Sequence, residues 1–370
     1  MARLPAAAIA LALILGCSSV PPTPRTSPTS DHGDDSVRAY ALLGNGHLLV
    51  ANIEDGTVLR ELVLAASSPQ ILTQVHAMAL SADKTMLYVL VQDASRTGRI
   101  AVVDTATQQV FRTLEVGSGA DYRSLGLGRR TGSLYVFGNE GAAAAVWVVD
   151  PTGRASPRRH LARPASGGSW FVYQGLVAAD ETALFLSYHG DTTGVDRFEL
   201  KDGTLMRCPQ GPQPDQGCFR IHGGIGLFGD RLLATTGESG LLVLDQATGA
   251  TVGRYDTALE GNHVMEFVLD EVSKRAYVIG SCGYSRGLAT IDLEHGTTQV
   301  LAPARVASSP CGERLAVAPD GDRLVVARTA LPVPSVAGPG ALVILSTAGA
   351  PLREIATSAE PIDLLVFPLR

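Results

Sequence analysis

One short run returns seven times along this chain and limits what it can fold into. "IAVVDTAT" (Ile100–Thr107), "VWVVDPTG" (Val146–Gly153), "LLVLDQATG" (Leu241–Gly249) and "LATIDLEHG" (Leu288–Gly296) are strong copies. "LLVANIEDG" (Leu48–Gly56), "VDRFELKDG" (Val195–Gly203) and "ALVILSTAG" (Ala341–Gly349) are weaker ones. The polar residue after each apolar run is Asn52, Asp104, Asp150, Glu199, Asp245, Asp292 or Ser346, at spacings of 46 to 54 residues. Such a period marks an array of one supersecondary unit, because a single unit cannot bury its own apolar face. Four or five apolar residues in a row suit a strand covered on both faces. An Asp side chain accepts from backbone N–H groups just ahead of it and Gly supplies a positive φ, so Asp-x-x-x-Gly closes a hairpin.

Ahead of these runs lies a second apolar strand: "LYVLV" (Leu87–Val91), "LYVFG" (Leu134–Gly138), "LFLSY" (Leu184–Tyr188), "LLATT" (Leu232–Thr236), "AYVIG" (Ala276–Gly280) and "LVVAR" (Leu324–Arg328). Turns such as "APDGD" (Ala318–Asp322) precede it, a further strand precedes the turn, and a last strand comes after the Gly. No helical periodicity interrupts this order. Four strands per unit and no helix is the signature of a β-propeller. The fold expected is therefore all-β: a seven-bladed propeller of four-stranded antiparallel blades. The first repeat has only three strands. "PIDLLVFP" (Pro361–Pro368) reads like the innermost strand of the other repeats and is expected to complete that blade and close the ring, which removes exposed edges.

The pattern "LYV…VVDTAT" resembles the YVTN-type propeller repeats of bacterial surface and periplasmic proteins. It is more loosely similar to lactonase and cytochrome d1-type propellers. The resemblance spans residues 38–370. It implies a fold and leaves function open, because superfolds host many activities.

The first 37 residues read differently. Arg3 precedes an apolar segment from Leu4 to Gly16, shorter than the roughly 20 residues that span a bilayer and shaped like the core of a secretory signal. It stops at Ile14-Leu15-Gly16-Cys17, which resembles the bacterial lipobox. That resemblance implies a lipoprotein signal peptide at 1–16, cleavage before Cys17, and acylation of the Cys17 thiol. Ser18, in place of Asp, implies the outer membrane rather than the inner one. From Ser18 to Val37 almost nothing is apolar, so the segment cannot fold by itself, and Pro21, Pro22, Pro24 and Pro28 stiffen it into a spacer. The organisation expected is a signal peptide at 1–16, a lipidated cysteine and tether at 17–37, and a propeller domain at 38–370. It places the body outside the cytoplasm on a bacterial membrane, on its periplasmic or surface face.

A net charge of −6 with no basic block disfavours nucleic acid, whose phosphates need clustered Lys and Arg. Gly224, Gly226 and Gly229 spell G-x-G-x-x-G, but "DRLLATTG" comes next as a strand, where a dinucleotide site requires a helix. C-x-x-C-H, H-E-x-x-H and G-x-S-x-G are all absent. No catalytic residue, metal or cofactor is assigned. The loops entering the innermost strands form a funnel mouth, and its candidate binding residues are His76, Arg123 (or Tyr122), Tyr173, His222, His263, Glu313 and Asp363. Three histidines with a carboxylate have the chemistry of a transition-metal site; a polar, solvated rim is the plainer reading. The function expected is a monomeric binding or scaffolding module for a protein, peptide or carbohydrate. The rival is a funnel-mouth enzyme of lactonase-like or quinoprotein dehydrogenase-like type.

Beyond Cys17 there are four cysteines, Cys208, Cys218, Cys282 and Cys311. An even number in an exported chain argues for disulfides, with three possible pairings. Alternating strand direction puts all four on the mouth face. The expectation is Cys208–Cys218 stapling one loop and Cys282–Cys311 tying neighbouring blades.

Overall fold

The computed structural model describes residues 36–64, 77–93, 95–154, 156–163, 170–190, 194–207, 221–236, 240–259, 263–281, 287–303, 314–329 and 339–368. All of them belong to one compact unit, Asp35–Arg370. Cys17, Cys208, Cys218, Cys282, Cys311, His76 and Glu313 lie outside the described residues.

Seven four-stranded antiparallel sheets form the ring, their strands named from the centre outwards. Blade 1 is Pro361–Pro368, Val37–Leu43, His47–Asn52 and Val58–Val63; blade 2 is Met78–Leu80, Met86–Gln92, Thr97–Asp104 and Gln109–Ser118. Blade 3 runs Asp121–Leu127, Leu134–Glu140, Ala143–Val149 and Arg158–Arg163, and blade 4 Trp170–Val177, Ala183–Gly190, Gly194–Glu199 and Leu205–Arg207. Blade 5 is Ile221–Phe228, Arg231–Thr236, Gly240–Asp245 and Thr251–Asp256; blade 6 is His263–Asp270, Arg275–Ser281, Gly287–Asp292 and Thr298–Pro303. Blade 7 is Arg314–Val317, Arg323–Thr329, Gly340–Ser346 and Pro351–Thr357. The innermost strands touch in sequence, and that of blade 1 touches those of blades 7 and 2. The C-terminal strand therefore closes the ring, pairing Ala39 with Val366 and Tyr40 with Leu365.

Alternation along each strand explains how both faces of a blade are buried. In Val37–Leu43, Tyr40 and Leu42 join a cluster with blade 2, while Ala39, Ala41 and Leu43 join one with blade 7. Tyr40 stacks on Phe367, with ring centroids 4.5 Å apart, so the closing contact is aromatic as well as hydrogen-bonded. Trp147 is buried and meets Tyr122 edge-on at 4.8 Å. The three glycines of the G-x-G-x-x-G run fall in and just after the innermost strand of blade 5, with Gly229 in the turn at φ +59°.

The recurrent turns use the expected chemistry. Asp104 accepts from Thr107 N at 2.7 Å, Asp245 from Thr248 N at 2.8 Å and Asp292 from His295 N at 2.9 Å. Gly249 and Gly296 each take φ +69° and donate to the carbonyls of Asp245 and Asp292. In blade 2 there is no glycine, and Gln108 takes φ +52° at that point.

Among the described residues, a second set of bonds links the outer part of five blades to the next blade's turn. Arg60 of blade 1 donates to Thr107 O of blade 2 at 3.3 Å, and Arg112 of blade 2 to Thr152 O of blade 3 at 2.8 Å, as well as to Pro151 O. Arg197 of blade 4 reaches Gln246 O of blade 5 at 2.8 Å, and Arg353 of blade 7 reaches Asp55 O of blade 1. In blade 5 the same role falls to Tyr255, whose hydroxyl donates to Leu293 O at 2.9 Å.

Candidate functional site

The innermost strands carry a shared irregularity. Register shifts fall between Tyr122 and Ser124, Val172 and Gln174, Ile221 and Ile225, and Val264 and Glu266. A bulge inserts one unpaired residue and re-aims the side chains next to it. At or just beyond it, and at the matching positions of blades 2 and 7, whose innermost strands pair without a register shift, one position per blade forms a ring: Ala77, Ser124, Gln174, Gly224, Glu266, Arg314 and Asp363. Ser124, Gln174, Glu266, Arg314 and Asp363 are all buried.

Most of these side chains hand a bond to the next blade. Asp363 of blade 1 accepts from Ala77 N at 2.7 Å and Met78 N at 2.9 Å in blade 2. Ser124 of blade 3 accepts from Gly175 N at 3.2 Å in blade 4, and Gln174 of blade 4 accepts from Ile225 N at 2.7 Å in blade 5. Glu266 of blade 6 pairs with Arg314 of blade 7 at 2.5 Å, with side-chain exposures of 6% and 7%. Arg314 in turn donates to Ile362 O of blade 1 at 3.0 Å. Blades 2 and 5 break the series. A Cβ on Gly224 would lie 3.5 Å from Glu266 Oε1 and 3.6 Å from Gln174 Oε1.

Tyr173, the bulge residue of blade 4, is hydrogen-bonded to Arg314. Blades 4 and 7 are not neighbours, so this contact spans the central channel. Burial pushes the Tyr173 hydroxyl up, partly offset by the Arg314 cation. Burial alone would lower the Arg314 pKa, but Tyr173, Glu266 and Asp363 outweigh it and hold the guanidinium charged. A buried ion pair survives only when its remaining donors and acceptors are met, and here they are met by three different blades.

Arg123, the bulge residue of blade 3, is tied to Asp121 by bonds of 2.5 and 2.9 Å and lies 5.1 Å from the Phe171 ring of blade 4. Its side chain is partly exposed, at 18%.

The sequence-derived mouth thus divides. Arg123 and Tyr173 occupy bulge positions, whereas Asp363 sits one step deeper, in the buried ring, with its carboxylate on blade 2 backbone. His222 and His263 fall near the starts of Ile221–Phe228 and His263–Asp270; their side chains, like His76 and Glu313, are outside the described residues. Sequence reasoning missed Ser124, Gln174, Glu266 and Arg314. Their signal is a polar residue ahead of an apolar strand, as in "ERLAV" and "MEFVL". Among the described residues, no three His, Cys, Asp or Glu side chains group as metal ligands do.

No known protein-family model matches the sequence, and no curated protein matches it. Solved structures do. A Bacteroides fragilis protein described as a candidate 6-phosphogluconolactonase superposes with a TM-score of 0.62 at 13% identity, covering 91% of this chain and 99% of that one. AztD from Citrobacter koseri gives 0.57 at 13% identity, with 90% and 98% covered. The dihydro-heme d1 dehydrogenase NirN, in complex with DHE, gives 0.55 at 14% identity, with 91% and 76% covered. At such identities the likeness is one of fold alone.

Proposed function

We propose that this seven-bladed propeller is a lipid-anchored, extracytoplasmic binding or scaffolding module, held to a bacterial membrane through Cys17 and presenting its mouth face to a protein, peptide or carbohydrate. The observation that carries the reading is the channel itself. Its described ionisable groups, Tyr173, Glu266, Arg314 and Asp363, are committed to one another and to the backbone of neighbouring blades. A group that holds the ring together is poorly placed to move protons or bind a metal. Preorganised polar atoms that reach across blades rigidify a platform instead.

The rival reading, a funnel-mouth enzyme, draws on the same convergence of an acid, a cation and a phenol. One experiment separates the two. Protein purified from its native membrane is analysed for metal and bound cofactor, and assayed on a panel of sugar lactones. The module reading expects no stoichiometric metal or cofactor and no turnover. Turnover abolished by Glu266→Gln without loss of fold would replace it with the enzyme.

Anchoring is tested separately. Cys17→Ala should release the body from membranes or leave it unprocessed, and recovery of the unmutated chain in soluble form with an unmodified N-terminus would refute the anchor. Disulfides Cys208–Cys218 and Cys282–Cys311 belong to the same reading. Peptide mapping without reduction should recover both pairs, and free thiols or crossed pairs would overturn them.

A further inference from the structure

Single exposed apolar side chains are ordinary, whereas their clustering is informative. Nine large apolar side chains are exposed among the described residues, and six of them lie on the outermost strands of three consecutive blades. These are Leu352 of blade 7, Val58, Leu59 and Val63 of blade 1, and Val110 and Phe111 of blade 2. Phe111 is 64% and Leu352 56% exposed. The same three strands repeat an apolar–arginine step: Leu352-Arg353, Leu59-Arg60 and Phe111-Arg112. Strand alternation turns the two residues of each step to opposite faces. Each arginine donates to a backbone carbonyl of the next blade, and one exposed glutamate, Glu61, Glu115 or Glu354, stands on the same strand. Blades 5 and 6 lack the combination. Blade 5 has Gly253-Arg254, and blade 6 has no arginine in Thr298–Pro303.

A cluster of exposed Val, Leu and Phe on one sector is the character of a surface whose apolar tips enter a lipid headgroup layer. The centre of this sector is blade 1, whose strand Val37–Leu43 directly continues the chain that leads back to Cys17. We propose that the rim formed by blades 7, 1 and 2 docks on the surface of the bilayer that holds the anchor. The proposal rests on the lipid-anchor reading and adds to it an orientation: the ring stands on its edge, with its mouth face turned sideways along the membrane. A tether makes docking intramolecular, so contacts too weak to bind a free protein suffice.

The test uses the full lipidated chain reconstituted in vesicles of phosphatidylethanolamine and phosphatidylglycerol, read by hydrogen exchange. Val58–Val63, Gln109–Ser118 and Pro351–Thr357 should exchange roughly tenfold more slowly than the outer strands Arg158–Arg163 and Thr251–Asp256, relative to their intrinsic rates. The combined variant Leu59→Ser, Phe111→Ser and Leu352→Ser should still float with the vesicles but lose that protection. Its melting temperature checks the fold, and Phe111→Ser alone should free Gln109–Ser118 if the triple variant is unstable. Uniform exchange in all outer strands, or protection that survives the triple variant, overturns the proposal. So does protection that rises with the protein-to-lipid ratio, which would mean contact between copies. A wild-type chain that fails to float defeats the anchor and the docking together, and is distinguished by that failure.

Discussion

The inner ring and the outer rim join the same blades with the same chemical groups, yet in opposite surroundings. At the rim, Arg60, Arg112 and Arg353 each reach a carbonyl in the next blade, close to water. At the centre, Arg314 also donates to a next-blade carbonyl, but it is buried with Glu266 and Tyr173. A rim bond that breaks is replaced by water. A central bond that breaks leaves a charge stranded in a medium where desolvation costs several kcal/mol. The rim therefore adds many small increments, and the centre holds a few that cannot be removed singly.

Five changes test that contrast, beginning with the most damaging. Deleting Ile362–Arg370 removes the innermost strand of blade 1, the Tyr40–Phe367 stack and the Asp363 bonds to blade 2 at once. The truncated chain should show no cooperative melting by calorimetry; a transition as sharp as that of the full chain would show that blade 1 closes without it. Glu266→Ala strands the Arg314 cation and should cost about 3–5 kcal/mol in urea unfolding; a loss below about 1 kcal/mol, the surface value, would erase the difference between centre and rim.

Alkali should act on the buried side. Burial raises Tyr40 and Tyr122 to about 12. A raised folded pKa gives stability that is complete below the unfolded value near 10 and is lost as pH rises toward about 12. Melting temperature should fall across that window, and Tyr40→Phe should flatten the fall. Arg112→Ala then probes the rim itself, where loss of two carbonyl contacts should cost about 1 kcal/mol in urea unfolding.

Acid should have the mildest effect, and on the turns. Asp104 is held below the usual carboxylate range by the Thr107 backbone N–H, Asp245 by the Thr248 side chain and Asp292 by the His295 backbone N–H. A depressed folded pKa gives stability present above the unfolded value near 3.9 and lost as pH falls through the folded one. The melting temperature should decline gently below about pH 4, and Asp104→Asn with Asp245→Asn should make the decline shallower.

The same contrast governs what the sequence discloses. Turns and middle strands are legible because their chemistry is local: Asp245 and Gly249 are four residues apart and bond within one hairpin. The closing strand is legible for the same reason, since "PIDLLVFP" carries the pattern of its six counterparts. The central ring is not. Asp363 and Ala77 are 286 residues apart, and nothing near either one announces the other. The bulges add a second obstacle: a residue inserted ahead of Ser124, Gln174 and Glu266 shifts the count from turn to site by one, which is why Asp363 reads as a mouth residue and proves to be a buried one. The rim arginines form a repeated step in the chain, but their partners are turn carbonyls, which any sequence supplies.

Closure by the last strand also has a consequence for the timing of folding. Blades 2 to 7 are each built from contiguous sequence and can form as they are synthesised, in chain order. Blade 1 cannot, because its centre, Pro361–Pro368, is separated from its other three strands by the sequence of all the other blades. Until that stretch arrives, the first three strands present the unpaired edge of Val37–Leu43 and the bare face of Tyr40, and the Ala77 and Met78 N–H groups of blade 2 lack the Asp363 carboxylate. Pairing over such a separation is slow. The ring therefore stays open and sticky until residues 361–368 have been made, and closes only when they pair with Val37–Leu43.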